Sequence, residues 1–142
     1  MKVAILCGGQ GTRLREETEF RPKPLVPVGE HPILWHVMKI YAHYGFNRFV
    51  LGLGYRGEQI RDYFLHYEAR QDDVTVNLGS GGGLTYHRAR PVEDFSVTLV
   101  STGLATMTGG RLRRLAPYLD DPIFLATYSD GLADIDLAAL VD

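Results

Sequence analysis

The sequence predicts an α/β chain built on a mainly parallel, Rossmann-like sheet with flanking helices. Short apolar runs alternate with stretches whose apolar residues recur at helical spacing, which is the pattern of strand–helix–strand crossovers. The first apolar run ends in a glycine-rich loop, and the last one runs into Ser129-Asp130-Gly131. Both segments therefore fall at the carboxyl ends of strands, where open parallel sheets place their ligands.

Residues 2–6 read as a buried strand. Residues 33–44 form an amphipathic helix entered through Pro32, residues 49–53 a second strand, and residues 57–67 a helix with Ile60, Phe64 and Tyr67 at helical spacing. Residues 74–78 and 85–88 are short strands. The run Gly79-Ser80-Gly81-Gly82-Gly83 between them lacks cations on its own turn, so it reads as a flexible connection and not as a second phosphate cradle. A further strand covers 96–100, a helix 111–119, a strand 123–127, and a last helix 135–141 opens at Asp134.

The bulk properties exclude several classes. With 142 residues and 45% apolar residues, the chain can form one domain with a real core. A net charge of −2 argues against a general binder of nucleic acid or of membrane surfaces, so the basic residues matter locally. A single cysteine, Cys7, excludes a disulfide framework and suits a reducing, cytoplasmic setting; it reads as a small buried residue at a strand end. Neither a signal-peptide pattern nor an apolar run long enough to span a bilayer is read in the sequence, so the expectation is a soluble chain that is not secreted. The five histidines are scattered without ligand spacing, which argues against zinc.

The most informative segment is Leu6-Cys7-Gly8-Gly9-Gln10-Gly11-Thr12-Arg13-Leu14, followed by Arg21-Pro22-Lys23-Pro24. Its glycines let the backbone turn sharply and bring amide N–H groups close to a ligand. Arg13 and Lys23 add two cations at fixed offsets. Amides that hold oxygens, with cations that offset charge, suit a polyphosphate. It is not a P-loop, because no Gly-Lys-Ser/Thr triplet follows, and it is not a dinucleotide fingerprint, because Leu14 stands where a third glycine is needed.

Gly-Gly-x-Gly-Thr-Arg-Leu followed by Pro-Lys-Pro resembles the signature of the sugar-1-phosphate nucleotidyltransferases, or nucleotide-sugar pyrophosphorylases. Further segments narrow the likeness: 32–36, Gly54-Tyr55-Arg56-Gly57, Thr106-Met107-Thr108-Gly109-Gly110-Arg111-Leu112 and Thr127-Tyr128-Ser129-Asp130-Gly131. Together they are similar to the glucose-1-phosphate cytidylyltransferases, the Met-Thr-Gly-Gly-Arg segment pointing to the cytidylyl branch. The resemblance covers the whole chain. It implies the nucleotidyltransferase fold, CTP and glucose 1-phosphate as substrates, CDP-glucose and pyrophosphate as products, and Mg2+ as the metal.

Residue by residue, the resemblance implies Arg13 and Lys23 as catalytic cations and Asp130 as a metal ligand. Nucleotide contacts fall to Leu6, Cys7, Gly8, Gly9, Gln10, Gly11, Thr12, Arg13, Lys23, Thr106, Arg111 and Ser129. The related enzymes usually carry Gly-Asp-Gly where this chain has Ser129-Asp130-Gly131, so a hydroxymethyl group stands beside the nucleotide. Arg113 and Arg114 beside Arg111 read as solvated residues. Asp134 and Asp136 are explained by helix capping.

The chain stops at Asp142, soon after its last helix begins, whereas the enzymes it resembles continue with a second metal carboxylate and most of the sugar pocket. Residues 1–142 are therefore expected to be the N-terminal, nucleotide-binding part of a longer domain, truncated at the C-terminus, inactive alone and homo-oligomeric when full length. Two alternatives stay open at this point: a transferase that uses UTP or dTTP, and a non-catalytic nucleotide-binding subunit.

Overall fold

The computed structural model describes residues 1–11 and 15–142, with Arg15 and Glu17 through their backbone alone. Its centre is a four-stranded parallel sheet made of β1 (Val3–Cys7), β4 (Arg48–Leu53), β7 (Ser96–Ser101) and β8 (Leu125–Tyr128), in the spatial order β7-β4-β1-β8. Register is regular, with Ala4 opposite both Val50 and Ala126, and Val50 opposite Thr98. This bears out the expected mainly parallel sheet with flanking helices.

All five residues of β1 are buried, because helices cover both of its faces. Val3, Ile5 and Cys7 join Phe49, Leu51 and Leu53 on one face, under α2 (Ile33–His43), Ile60 of α3 (Gly57–Leu65) and Leu137 of α6 (Leu137–Val141). Ala4, Leu6, Val50 and Val100 point the other way, against Leu115 of α5 (Thr108–Leu115). The apolar stripe Leu34, Val37, Met38 and Tyr41 follows helical spacing and seats α2 on the sheet.

The chain path fixes where a ligand can bind. It runs outward from β1 through α2 to β4, then through α3, α4 (Tyr67–Gln71) and the hairpin β5 (Asp73–Asn77)–β6 (Gly83–His87) to β7. It then returns through α5 to β8, on the opposite side of β1. Strand order thus reverses at β1, and the crevice beyond the carboxyl ends of β1 and β8 is the topological switch point.

Several boundaries differ from the sequence expectation. The helix expected over 57–67 is broken at His66, whose ring bonds the Asp62 carbonyl at 3.0 Å, so Tyr67 begins α4. The helix expected from 111 starts at Thr108 despite Gly109 and Gly110, and its end tightens into a 3₁₀ turn, Ala116–Tyr118, around Pro117. The last helix is opened by Asp136 and not by Asp134: Asp136 Oδ1 accepts the N–H groups of Ala138 and Ala139 at 3.0 and 3.1 Å. A short helix α1 (Arg15–Thr18), a 3₁₀ turn over Lys23–Leu25 and a small ladder between β2 (Pro27–Val28) and β3 (His31–Pro32) carry no periodic apolar signal.

Candidate functional site

The glycine loop leaves β1 at the switch point, fastened from two sides. Gly11 has φ +62°, a conformation that favours glycine, and its carbonyl accepts the Thr18 hydroxyl at 2.9 Å. A Cβ on Gly11 would come 2.8 Å from Thr18 Cγ2, so this turn and α1 fit only with glycine present. Beyond α1 the chain is held by the turn after β4. The Tyr55 hydroxyl donates to Thr18 O at 2.9 Å, Arg56 Nη2 to Glu19 O at 2.7 Å, and Gln59 Nε2 to Phe20 O at 2.9 Å. The segment between the loop and Lys23 is thereby tied to the sheet through its own carbonyls.

The start of the loop is gripped by Arg111. Its Nη1 donates to Thr102 Oγ1 at 2.7 Å and Gly103 O at 2.8 Å, and lies 3.5 Å from Leu53 O; its Nη2 donates to Gly8 O and Leu104 O at 3.2 Å each. Only 6% of Arg111 is exposed. Burial first, and then the like charge of Arg114, lower its pKa from the ordinary arginine value. Arg114 itself donates to Thr102 O, so it is not simply solvated.

Two clefts open on the loop. One, of about 480 Å³, is lined by Leu6, Gly9, Gly11, Lys23, Pro24, Tyr128, Ser129 and Asp130. The second, of about 360 Å³, is lined by Leu6, Gly8, Gly9, Gln10, Leu104, Ala105, Thr106, Met107, Thr108, Arg111 and Tyr128. Leu6, Gly9 and Tyr128 are common to both. The structure thus gathers Leu6, Gly8, Gly9, Gln10, Gly11, Lys23, Thr106, Arg111, Ser129 and Asp130 around one crevice, although they span more than a hundred positions of sequence. Of the other expected loop contacts, Thr12 and Arg13 lie outside the described residues, and Cys7, buried beneath the loop, lines neither cleft.

Lys23 and Asp130 meet directly, with Nζ 2.5 Å from Oδ2, each about one-third exposed. The 3₁₀ turn Lys23–Leu25, held between Pro22 and Val26, aims the lysine into the crevice, and the turn after β8 presents the aspartate. Ser129 is 6% exposed, and its N–H donates to Leu6 O at 3.3 Å, extending the β1–β8 pairing by one residue. The Cys7 thiol beneath it donates to Ile5 O at 3.7 Å. Burial pushes the Cys7 pKa up from 9.0 to about 12, against smaller lowering effects of Ser129 and the Arg111 charge. Cys7 is therefore a protonated, unreactive thiol near neutral pH.

The donor set suits a hard divalent ion that is held mostly by its substrate. Asp130 supplies one carboxylate at the mouth of a phosphate-sized crevice, and no group of three or more His, Cys, Asp or Glu side chains occurs among the described residues. Magnesium fits such a site, because it binds through one or two carboxylates plus phosphate oxygens and waters. No helix of the described residues is long and apolar enough to cross a membrane.

Three positions escaped the sequence reading: Thr102, Tyr55 and Arg56. Thr102 is fully buried and donates its hydroxyl to Leu53 O at 2.8 Å, which lines up the acceptors for Arg111. Nothing local marks it, since its partners lie far along the chain. Tyr55 and Arg56 were noted only as part of a motif, and Arg56, with φ +49°, is the single non-glycine residue of positive φ among those described.

The MobA-like NTP transferase domain matches residues 3–85, more than half of the chain, from β1 into β6. The chain belongs to that family. Beyond this family domain, the chain is 48% identical, over its whole length, to a glucose-1-phosphate cytidylyltransferase of Salmonella typhimurium, of which it covers 55%. It is also 48% identical, over 99% of its length, to a probable glucose-1-phosphate cytidylyltransferase of Bacillus subtilis, of which it covers 54%. The chain thus spans about half the length of these curated relatives. The crystal structure of HddC from Yersinia pseudotuberculosis complexed with GMP-PN matches 99% of the chain with a TM-score of 0.73 and 24% identity, the chain covering 52% of it. That likeness concerns the NTP transferase fold alone.

Proposed function

We propose that the chain is the nucleotide-binding part of an enzyme that transfers a cytidylyl group from CTP to glucose 1-phosphate, giving CDP-glucose and pyrophosphate. The observation that carries this reading is the crevice at the switch point, where the glycine loop, Lys23 and Asp130 come together. The choice of CTP and glucose 1-phosphate is supported by the 48% identity to the two cytidylyltransferases.

In this reaction a phosphate oxygen of glucose 1-phosphate attacks the α-phosphorus of CTP, and the bond from that phosphorus to the bridging oxygen breaks as pyrophosphate leaves. A phosphate oxygen is already a competent nucleophile, so no strong base is needed. Rate comes from holding two anions in line and offsetting charge on the leaving group. In this reading the loop amides of 8–12 are assigned to the triphosphate, Arg13 to the charge of the leaving phosphates, and Lys23 to the repulsion between the phosphates of nucleotide and sugar. Leu6, Gln10, Thr106, Arg111 and Ser129 shape the nucleotide side of the crevice, with Cys7 packed beneath them. Asp130 would hold the magnesium ion, which when bound supplies charge neutralisation on phosphate oxygens. The Lys23–Asp130 ion pair keeps both side chains at this mouth before ligand arrives.

The same reading includes operation in the cytoplasm, as the lone buried thiol suits, and assembly into a homo-oligomer. Calorimetric titration with CTP, UTP, dTTP and GTP in the presence of magnesium tests the nucleotide choice, and release of pyrophosphate from CTP plus glucose 1-phosphate tests the reaction. Saturable binding that favours CTP supports the reading. Equal binding of UTP or dTTP would replace it with the alternative base, and nucleotide binding without pyrophosphate release from any protein containing this chain would favour a non-catalytic subunit.

A further inference from the structure

The turn between β4 and α3 breaks two local preferences at one residue. Arg56 stands at the N-terminal cap of α3 with φ +49° and ψ +37°, a left-handed conformation that crowds any Cβ. Its cation also sits at the helix end where the backbone already carries partial positive charge, and it gives α3 no capping bond. Asparagine or glycine would suit the position better. A residue that breaks local rules without local gain has its task elsewhere.

That task lies in residues 18–22, the segment that leads from the glycine loop to Lys23. Arg56 Nη2 donates to Glu19 O at 2.7 Å, and Nε donates to the Tyr55 hydroxyl at 3.0 Å, which in turn donates to Thr18 O at 2.9 Å. The guanidinium lies 5.4 Å from the centre of the Tyr55 ring. Three residues on, Gln59 Nε2 donates to Phe20 O at 2.9 Å. Three successive carbonyls are thus held from one turn, whose flanking residues Leu53 and Ile60 are fixed in the core.

Glu19 and Phe20 are exposed, so water could serve their carbonyls, and these bonds add little to the stability of the fold. What they add is direction. Only Arg21 and Pro22 separate Phe20 from Lys23. Pro22 has its φ fixed at −69°, and its carbonyl accepts the Leu25 N–H at 3.0 Å, opening the turn that carries the lysine. A lysine has a long, rotatable stem, so the place where its backbone starts decides where its ammonium can reach.

We propose that Arg56, with Tyr55 as its relay, is a positioning residue that acts through residues 18–22 to hold Lys23 at the crevice. Arg56 lines neither cleft on the glycine loop. The proposal rests on the polyphosphate reading of the crevice given above.

The test uses Arg56→Gly, because glycine accepts the left-handed conformation and only the side chain is lost. Affinity for inorganic pyrophosphate should fall by ~3–10-fold, the equivalent of losing about one hydrogen bond's net effect. In a Lys23→Ala background the same substitution should leave pyrophosphate affinity unchanged, since the group it acts through is gone. In ligand-free 15N-labelled protein the Lys23 amide resonance should move in Arg56→Gly and also in Tyr55→Phe, which lacks the relaying hydroxyl. A merely structural role would weaken binding equally in both backgrounds. That result, or an unmoved Lys23 resonance in Arg56→Gly, overturns the proposal. If Lys23→Ala binds pyrophosphate too weakly to titrate, the ligand-free Lys23 resonance decides alone. Wild-type protein that binds no pyrophosphate would defeat the polyphosphate reading, while the same ligand-free resonance would still decide whether Arg56 sets Lys23.

Discussion

Gly8→Ala and Gly9→Ala are adjacent substitutions of the same chemistry, and they should separate completely. A Cβ at position 8 would lie 2.1 Å from Arg111 Cζ and Nη1 and 2.6 Å from Nε. The guanidinium ends a flexible stem, so it can withdraw, and the backbone need not break. What is lost is its bonding to Gly8 O, Thr102 Oγ1, Gly103 O and Leu104 O. Gly103 and Leu104 are exposed and can turn to water, whereas Thr102 is fully buried and Gly8 is buried. Counting mainly those two, at about 1–3 kcal/mol for each buried acceptor left without its donor, gives a destabilisation of about 2–6 kcal/mol. At this chain length that is a fall in melting temperature of about 6–24 °C. Gly9→Ala meets nothing within 4 Å and should melt with wild type. Its effect should appear instead as weaker pyrophosphate binding, because the added methyl stands in the cleft. Thermal unfolding followed by circular dichroism measures the first effect, and calorimetric titration the second. In Gly8→Ala/Arg111→Ala the clash is gone, so the combined loss should be clearly less than the sum of the single losses. A Gly8→Ala protein as stable as Gly9→Ala, or strict additivity in the double variant, would refute this account of the loop.

Three other outcomes are expected. Lys23→Ala should weaken CTP binding with little change in melting temperature, since its ion pair with Asp130 is about one-third exposed, and in an active form it should slow turnover by ~10²–10³; unchanged affinity and rate would remove its role. Asp130→Asn should bind CTP equally with and without magnesium, and a magnesium dependence that persists in titrations would place the ion elsewhere. The Cys7 pKa, raised from 9.0 to about 12 in the fold, means the native state holds its proton more tightly than the unfolded chain. That contribution to stability is complete below pH 9 and is lost as pH rises toward 12. Denaturant unfolding of Cys7→Ala should therefore fall less steeply over that window than wild type, and identical slopes would contradict the buried-thiol assignment.

The sheet was legible because its signals are local. The strands β1 and β4 are short apolar runs, α2 carries its stripe at helical spacing, and the glycine loop and Asp130 were placed at strand ends by the pattern alone. What was not legible depends on distance. Arg111 and Gly8 are 103 positions apart, and Thr102 and Leu53 are 49 apart, so no window of sequence holds both partners. Boundaries slipped where a side chain overrode the apolar period, as at His66 and Asp136, or where a helix began on glycines that propensity disfavours, as in α5. The motif 54–57 was visible, but its task was not: its Tyr55 and Arg56 hold carbonyls of the segment that leads to Lys23.

The central claim is that the crevice between β1 and β8 receives the triphosphate of CTP. Titration of 15N-labelled protein with CTP and magnesium tests it most directly. The account predicts saturable shifts of the Gly8, Gly9 and Gly11 amides, with half-saturation at lower concentration for CTP than for UTP, dTTP or GTP. Loop amides that stay unmoved while CTP binds, or equal half-saturation for all four nucleotides, would contradict it.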